Sequence, residues 1–461
     1  MSKQPNRVTV HSKLTAVSSK PIGPGKAHPL SVLDHAMGHH TLHMIFYYRD
    51  KLFGSFDLDP LRESLTEVLS LYPPVTGRLA REEKEGNWKV KCNDAGVRVI
   101  RAKVDTTLDE WLRSADGSEE RDLTVWDEMP DDPHTWSPFV IQVNEFEGEG
   151  IAIGLSCTHM HADLTSATLL FKSWTEVHRH APISHPPLFN PSALRARPVL
   201  NTCTKSATYY ANKSTIKAQT PSEKLATATF RFSNSVIKHC LLEVSDICHD
   251  ATPFDFLSAL FWTCIARLKP TKNDHSHSLS ICTDFRNMLK APVSTGYFGN
   301  ALHFSMLSLA VREMDHSQLG HVAGFVHHHV AGLEEQEIWP VIDWFESQKD
   351  KAGKFAPPFC MYGPELTCVS MEHMIIPSGH TLDADQSLMY EAMFSEKEIP
   401  VHVSCHVGNM KGEGLIMVMP APEGGLARSV MVMLPEKELP ELCKDETILR
   451  LEPTMLLTGR S

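Results

Sequence analysis

The sequence has no long uninterrupted hydrophobic stretch. A helix needs about 18 to 20 consecutive apolar residues to cross a bilayer, and no stretch of the 461 residues approaches that length. The first residues also lack the apolar core of a secretory signal peptide, and the last residues match no peroxisomal or retention signal. We therefore expect a cytoplasmic protein, with peripheral attachment to the endoplasmic reticulum as the alternative.

Several short functional motifs are also absent. No two of the 11 cysteines have the Cys-x-x-Cys spacing of zinc and dithiol sites, which favours reduced and mostly buried thiols. No Gly-x-Gly-x-x-Gly or Walker A loop opens a helix, so nucleotide redox chemistry and phosphoryl transfer lack support. The Gly-x-Ser-x-Gly elbow of serine hydrolases is missing as well.

The sequence also has no excess of positively charged residues. The formal net charge is −12 at pH 7, and 42% of the residues are hydrophobic, which is ordinary for a globular protein. An acidic chain of this kind is a poor candidate for nucleic-acid binding. The length predicts two or three domains with sizeable cores.

The most informative stretch is 151–178, because its hydrophobic period changes in the middle. Ile151, Ile153 and Leu155 alternate with small residues, which predicts a buried strand. From Leu164 onward the apolar positions follow a helical period, with Trp174 on the inner face. A short turn at the rim of a sheet is a common place for catalytic groups, since the elements on both sides hold it rigidly.

His159 and Asp163 lie in that turn. A neutral imidazole is suited to general base catalysis near neutral pH, and a carboxylate four residues later can hold the turn without contacting the ring. The pattern alone also fits a structural turn in which Asp163 is only the N-cap of the helix. If the strand continues, His159 and His161 point to opposite faces.

The histidine clusters are not expected to bind a metal. His327, His328 and His329 would point in three directions on a helix, and the group at His39, His40 and His43 lies at a helix-to-strand junction. His159 and His161 lack an evident third ligand in the sequence. We therefore predict no metal site.

The remainder of the chain predicts two halves of mixed α and β structure. Residues 1–180 form the first domain, and residues 223–461 form the second. The proline-rich stretch 181–222 has no periodicity and predicts an irregular crossover linker. In the second half, Asp284 and Arg286 end a strand, and the tight turn 296–300 places two glycines where backbone approaches another group closely.

Together these residues resemble the plant BAHD acyl-CoA-dependent acyltransferases. The family pattern is His-x-x-x-Asp after a strand, then Asp-x-Arg, then a Tyr-Phe-Gly-Asn turn. This sequence meets the pattern in the same order at His159 and Asp163, at Asp284 and Arg286, and at 297–300. The resemblance begins at residues 30–34 and extends to the last predicted strand.

The resemblance implies an α/β (α+β) fold of two chloramphenicol-acetyltransferase-like domains, with mixed sheets flanked by helices and a channel between the domains. It implies an acyl-CoA co-substrate, a small-molecule hydroxyl or amine acceptor, no tightly bound cofactor and a monomer. His159 would be the general base, and Asp163 would pair with Arg286 to support the site. Candidate contacts to the acyl-CoA are Tyr297, Gly299 and Asn300, and Thr367 is a candidate oxyanion donor.

The sequence departs from the family pattern at three places, and the loss of one motif favours a second hypothesis. Leu164 stands where the family has Gly, and residues 393–400 replace the family's Asp-Phe-Gly-Trp-Gly motif; the Trp expected after Leu-Thr-Ser is also absent at 366–369. Loss of that motif resembles the eceriferum/glossy subgroup, as do residues 93–99 and 411–414. That subgroup implies a non-catalytic partner of a membrane condensing enzyme in very-long-chain fatty acid elongation for plant surface wax.

Overall fold

The computed structural model describes residues 6–49, 59–190, 194, 197, 204–216, 224–269, 276–314, 319–377, 385–396 and 398–459. Its strands are β1 Val8–Ala16, β2 Ala27–Pro29, β3 Thr41–Tyr48, β4 Arg78–Arg81, β5 Trp88–Lys91, β6 Val97–Val104, β7 Phe139–Phe146, β8 Ile151–Thr158, β9 Leu225–Phe232, β10 Ser276–Asp284, β11 Leu302–Ala310, β12 Leu366–Ser370, β13 Ile375–Ile376, β14 Gln386–Ser387, β15 His402–Val407, β16 Leu415–Pro420, β17 Arg428–Pro435 and β18 Thr454–Leu456.

The α-helices connect and cover these strands. They are α1 Val32–Ala36, α2 Asp59–Leu69, α3 Leu108–Ser114, α4 Gly117–Glu120, α5 Leu164–His178, α6 Lys205–Thr215, α7 Asn234–Val244, α8 Pro253–Leu268, α9 Leu319–Ala331, α10 Glu335–Ser347, α11 Leu439–Leu442 and α12 Glu446–Leu449. No helix in the described ranges is both long and apolar enough to span a bilayer.

Two large mixed sheets form the framework of the fold. The first has the order β1-β6-β7-β8-β3-β15, and the second has the order β11-β10-β12-β16-β17-β9-β18. Each sheet combines parallel and antiparallel pairs: β6 and β7 are parallel in the first, and β10, β12 and β16 are parallel in the second. The predicted class of mixed sheets flanked by helices is therefore confirmed.

The largest hydrophobic core lies where both halves of the chain meet. Its residues come from β3, β8 and α5 as well as from the later segments 282–304 and 369–433. Phe171 of α5 stacks on Phe46 of β3 with ring centroids 3.9 Å apart, which fixes α5 against the first sheet. A second core surrounds α8, whose first thirteen residues are all buried.

One strand crosses from the second half of the chain to the first sheet. β15 pairs with β3 in antiparallel register, with Val403 opposite Phe46. The division into domains at 181–222 remains a prediction, but this pairing means that residues 402–407 complete the sheet that carries His159.

Two of the longer helices, α6 and α10, were not predicted from the sequence. The stretch 181–222 was expected to be irregular, yet it contains α6, and α10 follows α9 after a short break. Both helices have weak local signals, since α6 is mostly polar and α10 contains Pro340. They are helical because Tyr210 and Ala207 of α6 bury their side chains against α10 and β11.

Candidate active site

The predicted strand, turn and helix are present around His159. Strand β8 ends at Thr158, and α5 begins after Asp163, whose side chain accepts a hydrogen bond from the Ser166 N–H at 2.8 Å. Asp163 is therefore the N-cap, one of the two roles that the sequence left open. The N–H of His161 donates to the Thr158 carbonyl at 3.1 Å and tightens the turn.

His159 is completely buried and held at both ends of its backbone. Its N–H donates to the carbonyl of His40 at 3.0 Å, and its own carbonyl accepts the side-chain amide of Asn300 at 2.8 Å. Its Nε2 lies 3.0 Å from the hydroxyl of Tyr362. The backbone of His159 is therefore fixed on both sides, and its ring is enclosed by the protein with Nε2 on Tyr362.

The protonation state of His159 follows from its burial. Burial lowers the pKa of His159 to about 4, and the Asp163 carboxylate and nearby backbone carbonyls offset only part of this effect. The ring is therefore neutral at physiological pH, and one of its two nitrogens is free to accept a proton. Nδ1 makes no well-aligned hydrogen bond with any described residue.

Asp163 forms the predicted ion pair with Arg286. The two guanidinium nitrogens of Arg286 donate to its carboxylate at 2.8 and 3.1 Å, and the N–H of Ala301 adds a bond at 3.0 Å. Burial by itself would raise the pKa of Asp163, but Arg286 and these hydrogen bonds hold it below its ordinary value. The carboxylate is fully occupied by these partners, which fits a role in holding the turn.

Arg286 also holds the turn 296–300. Its Nη2 donates to the carbonyls of Tyr297 at 3.0 Å and Gly299 at 3.1 Å, and its Nη1 also pairs with Asp284. Gly299 has a φ of +153°, and a Cβ there would lie 2.8 Å from the Tyr297 hydroxyl. A glycine is required at this position, because a larger residue would collide with Tyr297.

Asn300 links three segments of the site. Its side-chain amide donates to Asp34 of α1 at 2.8 Å as well as to the His159 carbonyl, and its N–H also donates to Asp34 at 2.8 Å. Tyr297 and Asn300 are buried and serve as internal supports in this structure. Their contact with acyl-CoA, and that of Gly299, remains a prediction.

Thr367 lies on β12 and is fully buried. Its hydroxyl is 3.5 Å from the carbonyl of Glu365, at the limit of a hydrogen bond. Its role as an oxyanion donor also remains a prediction.

The sequence did not identify three residues of this site, namely Asp34, Tyr362 and His40. Asp34 accepts hydrogen bonds from Asn300, and the Tyr362 hydroxyl contacts His159. His40 accepts the Met361 N–H on Nε2 at 3.0 Å, and its Nδ1 donates to the Gly408 carbonyl at 3.0 Å. The position of Asp34 within the 30–34 motif was the available signal. Nothing local marked Tyr362, which lies 203 residues from His159 in the sequence.

The histidine clusters have separate partners. His327 pairs with Asp255 at 2.9 Å, His328 contacts the Gly324 carbonyl at 3.0 Å, and His329 contacts the Ser305 hydroxyl at 2.8 Å. Within the described ranges, no group of three or more His, Cys, Asp or Glu side chains is arranged to hold a metal ion.

The segment that replaces the family's Asp-Phe-Gly-Trp-Gly motif packs on the first sheet. Phe394 contacts Trp174 edge-on with centroids 5.2 Å apart and lies against Phe171 at 5.8 Å. Its ring is buried beside α5, so this segment contributes to the support of the helix that follows His159.

Comparison with known proteins is consistent with this arrangement. The model of the transferase family matches residues 6–448. The chain belongs to this family, the BAHD transferases. It is 26% identical to a hydroxycinnamoyltransferase of Narcissus pseudonarcissus over 86% of this chain and 89% of the relative. It is 23% identical to Protein ECERIFERUM 2 of Arabidopsis thaliana over 94% and 96% of the two chains.

Solved structures of BAHD members share the fold. Vinorine synthase superposes with a TM-score of 0.71 at 18% identity, covering 95% of this chain and 98% of the other. A protein of F. sporotrichioides, crystallised with coenzyme A and T-2, superposes with a TM-score of 0.69 at 14% identity, covering 94% and 100%. The predicted chloramphenicol-acetyltransferase-like fold is thus confirmed.

Proposed function

We propose that this BAHD protein transfers an acyl group from acyl-CoA to a hydroxyl or amine acceptor, with His159 as the general base. The observation that carries the proposal is the state of His159: a neutral imidazole on a rigid turn whose Nε2 already binds a hydroxyl group at 3.0 Å. That distance is within the range from which a base removes a proton.

The reaction then follows from the position of Nε2. His159 takes the proton of the acceptor O–H or N–H, and the acceptor atom forms a bond to the thioester carbonyl carbon. The tetrahedral oxyanion needs hydrogen-bond donors, for which Thr367 is a candidate. Its collapse breaks the C–S bond, and the coenzyme A thiolate leaves and receives the proton from His159. No covalent bond to the protein forms.

Thiol release tests this proposal. Wild-type protein, His159→Ala and the control His161→Ala are incubated with a panel of acyl-CoAs and alcohols, and free coenzyme A is measured. We expect His159→Ala to lose about 10²–10⁴-fold in turnover, the usual contribution of a general base. His161→Ala should retain turnover, since the His161 ring packs against Phe139 and both its nitrogens lack hydrogen bonds to described residues.

A second candidate function is favoured by a different observation. His159 has no exposed surface, the Asp-Phe-Gly-Trp-Gly motif is replaced, and the similarity to ECERIFERUM 2 covers nearly the whole chain. The protein would then assist a membrane condensing enzyme in elongating very-long-chain acyl groups for plant surface wax, without transferring acyl groups itself.

Cells that contain the condensing enzyme separate the two candidates. If the partner function holds, His159→Ala still supports the longest acyl chains, and the wild-type protein releases no thiol from any acyl-CoA and alcohol pair. If the transferase function holds, thiol release is present in the wild type and lost in His159→Ala. Release that survives in His159→Ala would contradict the role of His159 as base.

A further inference from the structure

Tyr362 occupies the position that an acceptor needs. It lies between α10 and β12, its side chain is buried, and its hydroxyl is 3.0 Å from His159 Nε2. Its ring packs edge-on against His40, with centroids 5.0 Å apart, and against Phe304 at 5.1 Å. The phenol is thus held in place by rings on two sides while its hydroxyl faces the base.

In the tautomer that serves as a base at Nε2, the hydrogen is on Nδ1, and Nε2 has one lone pair and accepts one hydrogen bond at a time. A general base must lie about 2.6–3.2 Å from the proton donor that it deprotonates. The Tyr362 hydroxyl is within that range, so the phenol and an acceptor hydroxyl cannot both occupy Nε2. An acceptor reaches His159 only when Tyr362 has moved.

The polypeptide before Tyr362 is built in a way that allows such movement. In segment 355–361, the N–H groups of Phe355 and Met361 donate to side chains, those of Asn87 and His40, and Pro357 and Pro358 have no N–H to donate. A segment outside helices and sheets shifts at a smaller cost than a paired strand.

There is also space beside the segment. A cavity of about 320 Å³ lies between α1, α10 and the segment, with Phe355, Pro358 and Phe359 in its wall. Pro358 lies next to Gly38, and Gly38 lies next to Met160, the neighbour of His159. The cavity borders residues 355–359 and so provides space beside the segment that precedes Tyr362.

We propose that Tyr362 is a cap on His159 that competes with the acceptor, so that the acceptor binds only after the phenol has left Nε2. The kinetic consequence of the cap rests on the proposed transferase function. The contact between the Tyr362 hydroxyl and His159 Nε2 is seen in the structure and does not depend on that function. A closed resting state lowers the apparent affinity for the acceptor by the fraction of molecules that are open. Tyr362 then sets the KM for the acceptor and leaves the chemical step to His159.

The test uses the full-length protein and three variants. Tyr362→Phe removes the hydroxyl and keeps the ring, and Tyr362→Ala removes both. Tyr48→Phe is the matched control, because the Tyr48 hydroxyl is equally buried and donates to the Ala392 carbonyl at 2.6 Å, away from His159. The first readout is the rate at which diethyl pyrocarbonate modifies His159 at pH 7, measured by peptide mass spectrometry.

We expect His159 of the wild type and of Tyr48→Phe to be modified slowly. Tyr362→Phe should be modified about fivefold faster, the effect of losing one hydrogen bond, and Tyr362→Ala faster still. Rapid modification of wild-type His159, or equal rates in the wild type and both Tyr362 variants, would overturn the cap. This readout needs no turnover, so faster modification together with absent thiol release would reject the transferase function and keep the cap.

Kinetics provide the second readout in a protein that turns over. A cap predicts that Tyr362→Phe lowers the acceptor KM about fivefold with kcat retained. A kcat that falls tenfold or more, with an unchanged KM and unchanged modification of His159, would mean that the phenol acts in proton transfer, and the cap would be rejected.

Discussion

His159 is made neutral by one set of neighbours and held in place by another. Burial in an apolar environment lowers its pKa, whereas His40 and Asn300 bind its backbone at 3.0 and 2.8 Å. Asp163 acts on the turn through Arg286 and leaves the ring nitrogens free for other contacts. The motif His-x-x-x-Asp therefore combines a candidate base with a separate support.

The low pKa of His159 predicts an unusual pH profile for acyl transfer. A histidine of ordinary pKa near 6.5 would lose most of its base form between pH 8 and pH 5.5. Because burial lowers the pKa of His159 to about 4, its base form persists through this range. We expect kcat/KM to stay level from pH 8 to pH 6, above the pH at which the protein begins to unfold in acid, measured by thiol release. A midpoint near pH 6.5 would contradict this.

The ion pair between Asp163 and Arg286 predicts a loss of stability on mutation. Asp163→Asn removes the carboxylate from a buried guanidinium, and breaking such a pair from one side costs about 3–5 kcal/mol. We expect a decrease of that order in the free energy of unfolding in urea. The control is Glu110→Gln in the exposed pair Glu110–Arg113, which should change stability by less than about 1 kcal/mol. Equal stability of Asp163→Asn and wild type would contradict the pair.

The elements around the site are joined by short polar contacts. The turn 296–300 is tied to α1 through Asp34 and to the β8–α5 turn through Asn300, while Arg286 fixes the same turn from β10. These contacts come from three distant parts of the chain. The position of the base therefore depends on how these elements pack together.

Asn300→Ala tests this connection. It removes the bonds of the side-chain amide to Asp34 and to the His159 carbonyl and leaves a buried carboxylate with one partner fewer. We expect a loss of about 2–3 kcal/mol in unfolding free energy together with a lower kcat, since His159 is less well positioned. Asn212→Ala, at an exposed position of α6, should change stability by less than about 0.5 kcal/mol. An Asn300→Ala protein with wild-type stability would show that this amide is not a support.

Strand β15 depends on a buried carboxylate for part of its attachment. Glu120 of α4 accepts bonds from His406 of β15 at 2.9 Å and from the Tyr47 hydroxyl of β3 at 2.6 Å. Burial by itself would raise the pKa of Glu120, but His406 and these hydrogen bonds lower it. We expect Glu120→Ala to cost about 3 kcal/mol and to increase hydrogen exchange in β15 more than in β17. Unchanged exchange in β15 would contradict this role.

The molecule as a whole buries several histidines in their neutral form. Burial lowers the pKa to values between about 3 and about 4 at the following residues: His28, His35, His159, His161, His303 and His402. The unfolded chain has ordinary histidine pKa values near 6.5 and so binds more protons between pH 6.5 and pH 4. Stability therefore falls as the pH decreases through this window.

We expect acid denaturation to begin near pH 6, well above the range where carboxylates protonate. Each unit by which a pKa is lowered corresponds to about 1.4 kcal/mol of stability that is lost once the unfolded chain binds the proton. Six such histidines together therefore make stability fall steeply as the pH decreases. Urea unfolding at intervals between pH 7.5 and pH 4 measures the slope. His161→Phe, which removes one of these groups and can pack on Phe139, should reduce the slope; a stability that is constant down to pH 4.5 would contradict the prediction.

Local patterns determined much of this protein. Four local features could be predicted from the sequence, because each depends on residues close together in the chain. They are the change of period at 151–178, the N-cap at Asp163, the strand before Asp284 and the glycine-rich turn 296–300. The order of these motifs also identified the family and its fold. The pairing of Asp163 with Arg286 came from the resemblance to that family, and the structure bears it out.

Tertiary structure alone decided the rest. Three features involve residues that lie far apart in the sequence. They are the pairing of β15 with β3, the packing of helices α6 and α10, and the contact of Tyr362 with His159. Such contacts depend on packing and leave no periodic trace in the sequence around either partner. The sequence by itself therefore determined which residue is the candidate base, and the packing of distant segments decided that this base is buried, neutral and covered by a phenol.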